Sequence, residues 1–129
     1  MIKSVVLDKT DTCLTYALKR IDCFDVYPID YDKLTNGQIF EVLSYDKTIL
    51  IKGDILLWDK WDVRSVPTAT EITKERVILY HTIFQGFHCG IYEDKDLVSD
   101  CSQEQFYPYL RLRVLSEMKK PDKILRKRL

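Results

Sequence analysis

An α+β domain, a leading helix packed on an antiparallel sheet, is the fold class this sequence predicts. Three observations predict it. Leu14, Ala17, Leu18 and Ile21 recur at helical spacing directly after the cap-forming run Thr10-Asp11-Thr12. The stretch from Val77 to about Asp100 is rich in β-formers and broken by the turn signal Asp94-Lys95. Leu110, Leu112 and Val114 alternate with Arg111 and Arg113, the period of a half-buried strand.

Taken in order, residues 2–7 read as a short strand or ordered arm. The helix follows, with Cys13 in its first turn. Residues 22–37 read as irregular, on the turn signals Pro28, Asp30, Asp32 and Asn36-Gly37. Residues 38–45 read as a short helix or a strand, with helix preferred. Gly53-Asp54 then opens an apolar run, Ile55-Leu56-Leu57-Trp58, that reads as a buried strand. Residues 59–75, with Pro67, read as a loop. Strands are expected over Val77–Phe84, Phe87–Glu93 and Leu97–Cys101, with Gly86 allowing a turn or bulge. The last strand is expected around Leu110–Val114.

A chain of 129 residues with 46% hydrophobic side chains can bury a core without disulfides or metals. It is read as one domain, 1–118, followed by a basic tail, 119–129. The tail holds Lys119, Lys120, Lys123, Arg126, Lys127 and Arg128 against Asp122 alone, so the body of this formally neutral chain is acidic. A basic tail on an acidic body can contact nucleic acid or anionic lipid. No aromatic residue interleaves with these charges, which argues against nucleic acid, and a solvated end is expected. No apolar stretch approaches the ~18 residues that would suggest a membrane span. Met1 to Leu7 does not read as a secretory leader. The expected location is the cytoplasm, with a virion, cell lysis or a secretion machine as routes out.

Cys13, Cys23, Cys89 and Cys101 fit no Cys-x-x-Cys spacing, so neither a metal nor a cofactor is expected. In a reducing compartment they stay free. Cys23, Cys89 and Cys101 are read as small buried hydrophobes.

Cys13 differs because of its place. A helix N-terminus favours the thiolate, which is the nucleophilic form. An imidazolium beside it would favour it further and later protonate a leaving group. His81 and His88 are the only histidines. His81 lies mid-strand and is read as structural. His88 lies on a strand of a predicted hairpin. With the turn centred on Asp94, His88 faces Asp100, whose carboxylate would orient the ring. A one-residue slip would bring Ser99 there instead. Trp58 and Trp61 are read as packing residues. Glu41, Asp54 and Glu71 lack the converging pair that glycoside hydrolysis needs.

Three segments together resemble the NlpC-type papain-like hydrolases and their CHAP amidase relatives. They are Asp11-Thr12-Cys13-Leu14-Thr15-Tyr16-Ala17, Gly53-Asp54-Ile55-Leu56-Leu57-Trp58 and His88-Cys89-Gly90-Ile91-Tyr92. Tyr109-Leu110-Arg111-Leu112-Arg113-Val114 is similar to the closing strand of that fold. The resemblance covers roughly residues 8–116. It implies a papain-like fold with an N-terminal catalytic helix on a central antiparallel sheet. It also implies that Cys13 is the nucleophile, His88 the base and Asp100 the third residue. Many family members carry histidine, asparagine or glutamine at that third position, from which Asp100 departs, and Ser-Gly is usual after the cysteine, where this chain has Leu14-Thr15. The implied activity is a thiol peptidase or amidase cutting a peptide or amide bond, with bacterial cell-wall peptide as substrate class. The alternative is a non-catalytic binding protein of the same fold, such as a phage virion component or an inhibitor of a host factor.

Overall fold

A computed structural model describes residues 5–7, 11–23, 29–61, 86–104 and 107–128. The strand expected at Val77–Phe84, with His81 on it, and most of the loop 59–75 lie outside the described residues.

The dominant element is one six-stranded antiparallel sheet. Its strands are β1 (Phe40–Leu43), β2 (Ile55–Trp61), β3 (Gly86–Tyr92), β4 (Leu97–Glu104), β5 (Tyr107–Val114) and β6 (Lys123–Lys127). Their spatial order is β1-β6-β2-β3-β4-β5. Among the described residues there are two α-helices, α1 (Cys13–Arg20, eight residues) and α2 (Tyr31–Thr35, five residues). This corrects the expected fold class. The chain is mostly antiparallel sheet, and the α+β papain-like architecture with its catalytic helix is not what forms.

Local chemistry explains the difference. Helix α1 starts where expected. The Thr12 side chain caps the Thr15 N–H at 3.2 Å, and the Thr12 N–H donates to Thr15 Oγ1 at 2.7 Å. It stops after two turns. Asp22 takes a left-handed conformation (φ 59°). The Cys23 N–H then returns to the Leu18 carbonyl at 2.8 Å, and the Asp22 N–H to that of Lys19 at 3.2 Å. This is a Schellman closure, with an aspartate standing where glycine is usual.

The segment 38–45, read as helix or strand with helix preferred, contributes the strand β1, whose Phe40 is fully buried. Residues 119–129 are not a free tail. They carry β6, which lies between β1 and β2, with Val42 opposite Leu125 and Leu56 opposite Ile124. The basic end also meets acids of the body. Lys123 pairs with Asp59 at 3.1 Å, Arg126 with Asp54 at 2.8 Å, and Lys120 with Asp46.

Strand β2 sits mid-sheet, and Ile55, Leu56, Leu57 and Trp58 are all fully buried. That is why it reads as a continuous apolar run: a strand covered on both faces has no polar side to alternate with. On one face Ile55, Leu57, Cys89, Ile91, Cys101 and Leu125 pack with Tyr16, Ala17 and Leu18 of α1. On the other, Leu56, Trp58, Val98 and Ile124 pack with Leu115. No helix among the described residues is long and apolar enough to cross a membrane.

Candidate active site

The site forms where the start of α1 meets strands β3 and β4. Cys13 is the first helical residue, and it packs half-buried against the core containing Cys89 and Cys101. A buried polar chain ties the helix to the hairpin. The Tyr16 hydroxyl donates to Ser99 Oγ at 2.8 Å, and Ser99 Oγ donates to Glu93 Oε2 at 2.6 Å. Arg20 forks onto the same carboxylate, its Nε 2.9 Å from Oε2. All four residues are buried, so the rotation and height of α1 over the sheet are fixed by satisfied polar contacts as well as by packing.

The hairpin is centred on Lys95, not Asp94. Asp94, Lys95 and Asp96 all have positive φ, and the Glu93 N–H donates to the Leu97 carbonyl at 2.8 Å. Ile91 therefore pairs with Ser99, and Tyr92 with Val98. Continued along the strands, that register sets Gly90 opposite Asp100. A Cβ placed on Gly90 would lie 3.4 Å from the Asp100 Cβ. His88 is thus a diagonal neighbour of Asp100 and still shares its face, because the pairing moves by two positions and preserves side-chain parity. His88 Nε2 lies 2.7 Å from Asp100 Oδ2. Ser99, the alternative third residue, is engaged with Tyr16 and Glu93 instead.

The structure brings Cys13, His88 and Asp100 together. Cys13 packs against the core that holds Cys89, and Cys89 and His88 both act on its thiol. The Cys89 thiol bond does most to hold Cys13 well below the ordinary thiol range. Burial opposes it, and the His88 bond and charge add to it. Cys89 is pushed the other way, chiefly by the same bond to Cys13, then by burial. Between the two thiols, negative charge is thus favoured on Cys13. Cys101 is pushed up to about 12, by burial first and then by the Cys13 charge.

Burial alone would lower the His88 pKa. Its hydrogen bonds to Asp100 and Cys13, and their charges, outweigh that and raise it. Trp58, directly across the β2–β3 register, places its ring 5.6 Å from the imidazole. Burial would raise the Asp100 carboxyl. The hydrogen bond and charge of His88, then Arg111 and Arg113, reverse this and hold it well below the usual carboxylate range.

The two arginines escaped the sequence reading. Arg111 faces Asp100 across β4–β5 and reaches it at 3.2 and 3.0 Å, while Arg113 reaches it at 2.8 Å. The alternation in β5 is present, but its sense is the reverse of a plain apolar-in strand. Leu110, Leu112 and Val114 are the exposed side chains, and the arginines turn in. The missed signal was a carboxylate two residues from Val98 in the strand beside an Arg-x-Arg strand. Cys89, read as packing alone, was missed as a partner of Cys13.

No protein-family model, no curated protein and no solved structure matches this chain. Among the described residues no group of three or more His, Cys, Asp or Glu side chains could hold a metal ion.

Proposed function

We propose that this protein is a thiol-dependent acyl-transfer enzyme that hydrolyses a peptide or amide bond. The observation that supports this is the gathering of Cys13, His88 and Asp100, with a half-buried cysteine at one end and a buried carboxylate at the other. The Cys13 thiolate attacks the carbonyl carbon. The His88 imidazolium donates its proton to the departing amine, and the neutral ring then takes a proton from the water that cleaves the thioester. Asp100 holds Nε2, leaving the other ring nitrogen for the sulfur, and it stabilises the charged ring. The Cys13 N–H lies at the first helical position, where it has no intrahelical acceptor, and is available to the oxyanion.

The substrate class is suggested by the order of the Cys13, Gly53-Asp54 and His88-x-Gly-Ile-Tyr segments, which resembles enzymes that cut amides in cell-wall peptides. The test is turnover of muropeptide fragments containing D-γ-glutamyl links and the muramoyl–alanine amide. Cys13→Ala and His88→Ala, both confirmed folded by circular dichroism, are the controls. Cleavage by wild type and by neither variant supports the reading. Cleavage retained in Cys13→Ala overturns it. Absence of any thioester adduct at Cys13 with activated ester probes favours a binding protein whose cysteine is structural.

A further inference from the structure

We propose that Trp58 is the positioning residue for the His88 ring, and that the C-terminal segment around Lys119 holds Trp58 in place. This rests on His88 as the base of the site proposed above, although the ring contact itself needs no substrate to be measured.

His88 lies on β3, between two strands whose side chains both reach its ring. From β4, Asp100 Oδ2 holds Nε2 at 2.7 Å. One hydrogen bond fixes one ring atom and leaves the plane of the ring free to turn, because the last torsion of a histidine side chain has broad wells. From β2, Trp58 restricts that plane. It is the direct cross-strand partner of His88, and directly opposite side chains share a face. The two ring centroids are 5.6 Å apart, with their planes inclined at 39°. That separation is within the ~6 Å at which an indole attracts a cation. The indole therefore limits the tilt of the imidazole and favours its charged form, the form that protonates a leaving amine.

An indole can orient a neighbour only if it is itself held. Trp58 is fully buried and packs with Leu56, Val98, Leu115 and Ile124. Its Nε1–H donates to the Lys119 carbonyl at 2.6 Å, which satisfies a buried donor. The residues on either side of Trp58 bind the same segment. The Asp122 N–H donates to the Leu57 carbonyl at 2.8 Å, and the Asp59 N–H donates to Asp122 Oδ2 at 2.7 Å. Leu57, Trp58 and Asp59 thus grip residues 119–122 in succession, just before β6 begins. The segment that reads in the sequence as a solvated basic end is in this way the outer support of the base.

The test is the titration of His88 in the full chain, followed by NMR of the imidazole protons and assigned by loss of the signal in His88→Asn. The other groups that act on the ring are Asp100 and Cys13, with Arg111 and Arg113 bound to the same carboxylate. None of them is altered in the variants used. Trp58→Phe keeps an aromatic face and loses the bond to Lys119, and Trp58→Leu loses the face as well. The His88 pKa should fall in the order wild type, Trp58→Phe, Trp58→Leu, by about 0.5–1 pH unit in the last, a roughly three- to tenfold loss of preference for the charged ring. Ile124→Val thins the same core and leaves the indole intact, so it should lower stability without moving the titration. Asp122→Ala, at an exposed position, should speed hydrogen exchange of the Trp58 indole N–H and shift His88 as Trp58→Phe does. An unmoved titration in Trp58→Leu, a rise such as water admitted beside the ring produces, or an equal fall in Ile124→Val overturns the positioning role. If Trp58→Leu does not fold, Trp58→Phe against Ile124→Val decides. Faster indole exchange in Asp122→Ala with the imidazole unmoved overturns the part given to the C-terminal segment. Muropeptide turnover is measured alongside. Turnover that needs Cys13, with the titration unmoved in the Trp58 variants, overturns this inference and leaves the hydrolase reading standing. The ordered shift without turnover upholds the positioning of the ring and removes the hydrolase reading.

Discussion

Replacing Asp100 by asparagine removes one charge from a cluster in which three side chains depend on it. Asp100 is fully buried. It accepts from His88 at 2.7 Å, from Arg111 at 3.2 and 3.0 Å, and from Arg113 at 2.8 Å. Removing one partner of a buried ion pair costs about 3–5 kcal/mol, because the remaining charge stays desolvated and uncompensated. Here the Arg111 and Arg113 side chains are 13% and 26% exposed, so water recovers part of the loss. The asparagine oxygen also keeps one hydrogen bond. The expected net cost at neutral pH is about 3 kcal/mol. For a chain of this length the entropy of unfolding converts that to a fall in Tm of roughly 10 °C, measurable by calorimetry.

The pH dependence has a definite sign. The Asp100 carboxyl titrates lower in the folded chain than in the unfolded one. Its contribution is therefore complete above the unfolded value near 3.8 and is lost as pH falls through the native value. The gap between wild type and Asp100→Asn should begin to narrow below pH about 4 and keep narrowing as pH falls toward the native value. His88 should respond too. Without the carboxylate one of the two groups that raise its pKa against burial is gone, and the pKa should fall, visible by NMR because the chain has only two histidines. A Tm at pH 7 within about 2 °C of wild type, together with an unmoved His88 titration, would refute the reasoning.

The pH profile of iodoacetamide labelling at Cys13 should show a thiolate limb well below the ordinary thiol range. Since the Cys89 thiol is the larger cause, Cys89→Ala should move that limb upward further than His88→Asn does; the reverse order would reassign the cause. Gly90→Ala should destabilise by about 1–3 kcal/mol in urea titration, because a Cβ there meets Val98 Cγ1 at 2.7 Å and the Ser99 carbonyl at 3.2 Å. Glu93→Gln leaves the buried Arg20 guanidinium without its counter-charge. It should cost about 3 kcal/mol in the same assay and slow Cys13 labelling, as α1 loses its anchor to the hairpin; unchanged stability would show that Arg20 finds water.

Some of this was legible in the residues. Thr12 in a cap-forming run, followed by apolar residues at helical spacing, located the start of α1 and put Cys13 in its first turn. Gly53 has φ 98° and Asp54 caps the Ile51 N–H at 3.0 Å, so the Gly-Asp signal marked a real turn before β2. The hairpin was visible, but its centre was not. Three successive positive-φ residues, none of them glycine, leave no compositional trace. Asp100 nevertheless stayed on the His88 face, since a shift of two partners keeps parity.

The sequence by itself determined where local structure starts and stops, and which side chains alternate, because caps, turns and periodicity act within a few residues. Only the tertiary structure decided the fold class. Whether residues 38–45 became helix or strand depended on pairing with β6, some eighty residues away. The basic end became an internal strand because its apolar Ile124 and Leu125 fill the sheet while its charges reach Asp54 and Asp59. The meeting of Cys13, Cys89, His88, Asp100 and the two arginines likewise needed strands β3, β4 and β5 in register beneath α1. Such contacts arise from burial and long-range pairing, which no local pattern encodes.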